Sequence, residues 1–288
     1  MKTLLKNPQQ PVGLVDRPTP SVSDTLATVR IVSVGLCRTD LRVAAGAIEV
    51  HAPTVLGHEC AGVVEHDPSG CFIAGTVVAI NPLMPNKDFL GLDRDGVLQE
   101  LVQIPPEQLI AADGVPFRLA AYLEPVAASM AVLKARIAPS EKGVIYHANR
   151  ISHLTYLILD SLGYDVEWLA HAPTGQELER YDYAIETQFE AQAIHRTLEA
   201  IKPGGLLVVK SRQHAPVAIV PNLLVAKELT LQAVNYYDFN LAMKWLRTHQ
   251  ELLEPLLGAS YPLEQWEQAF EAAGAGDAKK IFITVSET

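Results

Sequence analysis

Three short stretches of this sequence hold side chains whose types and order could bind a metal. They are Cys37 in GLCRTDL (Gly35–Leu41), His58 and Glu59 in VLGHECAG (Val55–Gly62), and Glu124 in LEPVAAS. A thiolate, an imidazole and a carboxylate are all donors that zinc accepts. A catalytic zinc takes three protein ligands and leaves its fourth position to water or substrate. Glu124 offers a fourth ligand or a holder for that water. Taken alone, Cys37 reads better as a small core residue, and His58 as a satisfied core histidine. The two motifs together, in this order, are what point to a metal.

The elements that must position these residues change character along the chain. From Thr28 to Ile110 the apolar residues come in short β-branched runs (ATVRIVSVGL, AGVVEH, GTVVAI, ELVQI) broken by Gly, Pro, Asn and Asp, which is an all-β pattern. From Ala120 longer helical segments, AAYLEPVAASMAVLKARI and HLTYLILDSLG, alternate with the strand candidates GVIYHA, DVEWLA, YDYAIET and GGLLVVK. Such alternation predicts βαβ units on a parallel sheet. ELTLQAVNY, the helix NLAMKWLRTHQELLEPLL, PLEQWEQAFEAAGAG and a last strand KKIFITV follow, with the last strand expected to return to the first domain. The fold class is therefore α/β, an irregular β domain followed by a doubly wound parallel sheet.

Composition narrows the function. A chain of 288 residues with 49% hydrophobic content supports a real core. A net charge of -10 without a basic run argues against nucleic acid and anionic membrane surfaces, both of which need clustered Lys and Arg. No apolar run reaches the roughly 20 residues that span a bilayer, and MKTLLKNPQQ turns polar before a signal-peptide core can form. A cytoplasmic location is expected. Cys37, Cys60 and Cys71 cannot all pair, which leaves them open to thiol or metal chemistry.

GLCRTDL, then GHE about twenty residues on, then EP before a helix, resembles the zinc-containing medium-chain dehydrogenases, the alcohol, polyol and threonine dehydrogenase family. The likeness extends through CFIAGTVVAINP, RDGVLQELVQIP, IKPGGLLVV and YPLEQWEQAFEAAGAGDAKKIFITV. It implies a GroES-like zinc catalytic domain over residues 1–121, completed by 256–288, and a shortened Rossmann-like domain over 122–255. It implies one catalytic zinc held by Cys37, His58 and a carboxylate, Glu59 or Glu124. It places Thr39 where a hydroxyl relays the substrate proton, Asp40 behind the zinc-bound imidazole, and Arg38 where some members contact the cofactor pyrophosphate. It also implies a small-molecule substrate and a homodimer joined through the strand ELTLQAV. The lobe that carries a second, structural zinc in many members has no cysteine here (NPLMPNKDFLGLDRDG), so no second zinc is expected, and Cys60 and Cys71 read as ordinary buried thiols.

The cofactor domain departs from that pattern. Counting back from Leu162 and Gly163, the three glycines of G-x-G-x-x-G fall on His147, Asn149 and Ser152. Those glycines give the tight turn, the approach of backbone to pyrophosphate and close helix–strand contact. The second strand should end in an acidic residue for the ribose, but Ala170 and His171 stand there, and a helix–strand unit is missing before YDYAIET. Weak or absent binding of NAD(P) is the expectation. The competing reading keeps a nicotinamide cofactor through Arg38, the helix N-terminus and Lys210 or Arg212. Three functions follow: a zinc-dependent alcohol or polyol dehydrogenase, a zinc Lewis-acid lyase, cyclase or isomerase without hydride transfer, or a non-catalytic relative.

Overall fold

The computed structural model describes residues 1–173, 178–212, 216–276 and 278–287, and two compact units account for the chain: Met1–Pro125 with Phe239–Thr288, and Val126–Asp238. The first unit opens with β1 (Lys2–Lys6), β2 (Val12–Asp16), β3 (Ala27–Gly35), α1 (Arg38–Ala44), β4 (Thr54–Val55), β5 (Glu59–His66), β6 (Val77–Ile80), β7 (Leu101–Ile104) and β8 (Leu109–Ala111). Helices α2 (Phe117–Ala120) and α3 (Leu123–Met130) follow. They replace the single helix expected over 120–137, and Pro125 is the reason. In a continuous helix its missing N–H would leave the Ala121 carbonyl unbonded, whereas in the first turn of a new helix the loss is harmless.

The second unit is a βα alternation: β9 (Gly143–Tyr146), α4 (Arg150–Ser161), β10 (Val166–Leu169), β11 (Tyr181–Glu186), α5 (Ala191–Ala200), β12 (Ile201–Val209), α6 (Pro221–Ala226) and β13 (Thr230–Ala233). All its strand pairings are parallel, in the order β10-β9-β11-β12-β13. Neighbouring residues of β9 face opposite cores: Ile145 packs with Leu159, Tyr183 and Val208, and Val144 with Ile194, Leu198 and Leu207. This is the burial on both faces that a doubly wound sheet requires. A full dinucleotide fold has six strands in the order 3-2-1-4-5-6. Here the strand that would lie outside β10 is absent among the described residues, so β10 is an edge.

The chain then re-enters the first unit with α7 (Phe239–Thr248), α8 (Gln250–Leu253), β14 (Leu257–Pro262), α9 (Trp266–Gly274) and β15 (Lys280–Thr284). Residues 239–255, assigned with the second domain on sequence, thus cluster with the first. Helix α7 buries Phe239, Ala242, Met243, Trp245 and Leu246, and Arg247 Nη2 donates to the Ala111 carbonyl at 2.7 Å. In the larger sheet, β15 lies antiparallel to β3 with Phe282 opposite Gly35, and β5 lies on the other side of β3 with Glu59 opposite Gly35. One point of the sheet therefore brings the end of β3, the start of β5 and the last strand side by side.

Candidate active site

Cys37 sits at the N-cap of α1, directly after β3, and His58 and Glu59 at the start of β5. The pairing of β3 with β5 closes the sequence gap between the two motifs. One donor atom each from Cys37, His58 and Glu59 lies within 4.8 Å of the others, with His58 and Glu59 buried and Cys37 half-buried. Thiolate, imidazole and carboxylate in one cluster are a donor set that fits zinc. Glu124, buried in the first turn of α3, is not in this cluster, but its charge is close enough to push the Glu59 carboxyl up.

Asp40 is buried behind His58. Its Oδ1 is 3.5 Å from His58 Nδ1 and accepts from the Gly57 amide at 3.1 Å, while Oδ2 accepts from the Cys37 amide at 2.8 Å. Two backbone donors fix the carboxylate, which in turn orients the ring so that its other nitrogen is left for a ligand. Burial disfavours charge on both partners, yet their mutual attraction prevails: Asp40 is held below the usual carboxylate value, and His58, helped also by Cys37, well above that of a free imidazole. The Phe89 ring covers His58 with centroids 5.1 Å apart. Thr39 Oγ1 lies 3.7 Å from Cys37 Sγ, within reach of anything bound to the thiolate. Arg38 is exposed at the first position of α1.

The sequence reading missed Lys280. Its Nζ donates to Glu59 Oε1 at 2.6 Å, lies 2.5 Å from Oε2, and donates to the Leu36 carbonyl at 3.0 Å; both side chains are 1% exposed. Burial raises Glu59, Lys280 opposes that, and Glu124 adds to it, with a net upward displacement. A signal was available: strand alternation in KKIFITV places Lys280 on the side of Phe282, which is fully buried. Gly35 makes room for the pair, since a Cβ there would come 2.7 Å from Glu59 Oε2 and 3.3 Å from Lys280 Cδ. Of the other thiols, Cys60 is buried as expected, whereas Cys71 is exposed.

In the second unit the glycine-free turn is well formed. The residue that takes the left-handed conformation is His147 (φ 79°), at the place of the first glycine, while Asn149 (φ -119°) is the N-cap of α4. Asn149 Oδ1 accepts from the Ser152 amide at 2.9 Å, the Asn149 amide donates to Ser152 Oγ at 3.2 Å, and Asn149 Nδ2 donates to Thr187 Oγ1 at 3.1 Å. Ser152 is fully buried, its Oγ also bonding the His147 carbonyl. The indole N–H of Trp168, from β10, reaches Ser152 Oγ at 3.1 Å and the His147 carbonyl at 3.2 Å, and its ring stacks on His153 at 4.3 Å. Side chains of the protein thus take up a helix amide that a pyrophosphate would otherwise meet. Ala170 and His171 are exposed beyond β10. Arg212 is engaged by Tyr236 Oη at 2.8 Å and Asn235 Oδ1 at 2.7 Å. Glu186, at the buried end of β11, accepts from the Lys210 and Ser211 amides.

With this geometry in view, similarity to known proteins can be placed. Residues 23–114 match the alcohol dehydrogenase GroES-like domain. L-galactonate-5-dehydrogenase of Escherichia coli is 28% identical over 251 residues, covering 69% of this chain and 73% of that protein. The fold matches the crystal structure of L-idonate 5-dehydrogenase from Escherichia coli with a TM-score of 0.88, 22% identity, and 99% and 98% of the two chains covered. It also matches an alcohol dehydrogenase (rspB) of Escherichia coli solved with the cofactor NADH, with a TM-score of 0.87, 18% identity, and 99% of each chain covered. The class defined by fold and site is that of a two-unit GroES-like and Rossmann-like protein. The chain itself is similar to medium-chain alcohol and polyol dehydrogenases, in its GroES-like domain by sequence and over its whole length by fold.

Proposed function

We propose that this protein is a zinc-dependent oxidoreductase acting on a secondary hydroxyl of a polyol or sugar acid, or on the corresponding carbonyl. The observation that carries the reading is the clustering of Cys37, His58 and Glu59 donor atoms within 4.8 Å, with Asp40 fixed behind His58. A zinc ion held there supplies Lewis acidity toward a substrate oxygen. Cys37, His58 and Glu59 hold it, and the clustering favours Glu59 over Glu124 as the carboxylate. Asp40 keeps the imidazole oriented, and Lys280 offsets part of the Glu59 charge. Thr39 Oγ1 takes the hydroxyl proton and passes it outward from its half-buried position. A nicotinamide, if bound by the second unit, would supply the hydride acceptor for such an oxidation, while Thr39 Oγ1 would carry the hydroxyl proton outward.

The test is elemental analysis together with oxidation of a panel of polyols and sugar acids, read by nicotinamide reduction. Zinc bound at one per chain, and activity lost in Cys37→Ser, are expected; a wild-type protein without zinc refutes the reading. A second reading, a zinc Lewis-acid enzyme that transfers no hydride, draws on the side-chain capping of the α4 turn and the absence of an acidic residue at Ala170. It predicts zinc without nicotinamide turnover on any alcohol of the panel. We further propose a homodimer through the edge strand β13, where Leu231 and, on α6, Val225 are exposed, to be tested by sedimentation of wild type against Leu231→Lys. Three free thiols fit a reducing compartment such as the cytoplasm.

A further inference from the structure

A cavity of about 300 Å³ in the first unit is formed by the β1–β2 hairpin, which contributes Lys6 and Pro8, and by the connection from α1 to β4, which contributes Ile48, Glu49, Val50 and His51. Cys37, His58 and Glu59 do not line it. Lys6 falls on the same face of β1 as Leu4, which is fully buried, so the alternation of a strand directs its side chain inward. The hairpin then turns through Asn7–Gln10, where the Gln10 amide donates to the Asn7 carbonyl at 3.2 Å. Pro8 in second place and Gln9 at φ 57° in third fit a type II turn. That turn brings the Gln10 carbonyl to 2.5 Å from Lys6 Nζ. On the other strand of chain, Ile48 and Val50 pack against the core of the unit and give the cavity apolar walls.

Lys6 is the anomaly of this cavity. It is only 7% exposed, and a lysine so deeply buried is almost always paired with an acid. Its ammonium bonds a neutral acceptor, the Gln10 carbonyl, and among the described residues no carboxylate lies within 4.0 Å of it, although Glu49 lines the same cavity. An ammonium carries three donors, so its charge and its remaining N–H groups are left for whatever fills the cavity. Apolar walls strengthen any such interaction by lowering the local dielectric. His51, which is exposed, adds a ring nitrogen, and Glu49, also exposed, adds an acceptor. An uncompensated single positive charge calls for a single negative one. A carboxylate supplies that, whereas a phosphate, at roughly -1.5 to -2, would bring surplus negative charge up to Glu49. Glu49 itself is suited to hydroxyl groups, which can donate to it.

We propose that this cavity binds a small hydroxylated monocarboxylate: its carboxylate accepts from Lys6 and His51, and one of its hydroxyls donates to Glu49. The site lies wholly within the first unit, shares no residue with the metal cluster and does not rest on the zinc reading.

Calorimetric titration of the full chain tests it without recourse to activity. Gluconate should bind at least about ten-fold more tightly than sorbitol, which has the same carbon chain without the carboxylate, the factor expected of one charge-assisted hydrogen bond. It should also bind more tightly than inorganic phosphate. Lys6→Met, which keeps the apolar stem, should abolish the preference for gluconate over sorbitol, and Lys6→Arg should restore part of it. His51→Ala should weaken gluconate about three-fold, as for a neutral hydrogen bond. Glu49→Ala should weaken gluconate but not acetate, which has no hydroxyl to donate. Lys6→Met exchanges a buried unpaired charge for an apolar group, so its thermal unfolding midpoint should not fall; His51 and Glu49 are exposed, and their variants carry the test if Lys6→Met does not fold. Cys37→Ser should bind gluconate as wild type does, and loss of binding there would move the ligand to the metal cluster and overturn the proposal. It is overturned equally if gluconate binds no better than sorbitol or phosphate, if folded Lys6→Met keeps the wild-type preference, or if Glu49→Ala affects gluconate and acetate alike.

Discussion

Replacing Lys280 by Met removes the ammonium that faces Glu59 while keeping the length of the apolar stem. In the wild-type protein Nζ touches both carboxylate oxygens of Glu59 and the Leu36 carbonyl, and the side chains are 1% exposed, so water cannot take its place. Removing one partner of a buried pair costs about 3–5 kcal/mol, because the remaining charge keeps its desolvation penalty and loses its compensation. Glu124 makes matters worse by repelling the Glu59 charge. Protonation of Glu59 limits the loss, at about 1.4 kcal/mol per unit by which its pKa exceeds the working pH. We expect the chelator-treated Lys280→Met protein to lose about 3 kcal/mol in urea unfolding at neutral pH, and Lys280→Met with Glu59→Gln to recover most of it. Zinc should then stabilise Lys280→Met more than wild type, since a Glu59 freed of its ion pair gives its whole charge to the metal. A loss below about 1 kcal/mol for Lys280→Met in chelator would refute the argument from burial. Equal stabilisation of both proteins by zinc would leave the ion pair standing and remove Glu59 from the ligand set.

Asp40→Asn should weaken zinc binding by about 10- to 100-fold without abolishing it, measured by competition with a chromogenic chelator, because only the partner of the imidazole changes; an unchanged affinity would mean that Asp40 does not act through His58. In thiol titration Cys71, which is exposed, should react at once, Cys37 only after chelation, and Cys60 only on unfolding, since burial also pushes its thiol far up; prompt labelling of Cys60 would contradict the packing of β5. Glu167, bonded by Lys142, Arg180 and Tyr181, is partly desolvated yet held below the usual carboxylate value. A depressed folded pKa contributes stability that is present above the unfolded value, about 4.3, and is lost as pH falls through the folded one. Glu167→Gln should therefore lower the unfolding midpoint more at pH 7 than in acid below the unfolded value, and an equal effect at both would exclude a role for its charge. Asn149→Ala should cost about 1 kcal/mol through loss of the α4 cap, seen in urea unfolding, and no loss would mean that Ser152 and Trp168 hold the turn alone.

Local chemistry made a good part of this protein legible from its sequence. Donor types and their order in GLCRTDL and GHE marked Cys37, His58 and Glu59, while the place of Asp40 behind the imidazole was implied by the family resemblance. The change of hydrophobic period near Ala120 separated the β-rich part from the βα alternation, because each period belongs to one backbone geometry. Three lost glycines were visible as such, but the cap that Asn149 and Ser152 form on α4 was seen only in the structure.

Tertiary structure decided what depends on residues far apart in the chain. Glu59 rather than Glu124 joins the cluster because β3 and β5 pair in a register that sets Glu59 opposite Gly35. Lys280 reaches Glu59 across 221 residues, and nothing local to KKIFITV says which carboxylate a buried lysine will meet. The glycine-free turn is sealed by Trp168, which arrives only because β10 lies beside β9. A sequence specifies which groups can bond and how each segment coils, but desolvation and Coulomb energy depend on distance in space, which only the packed sheets set.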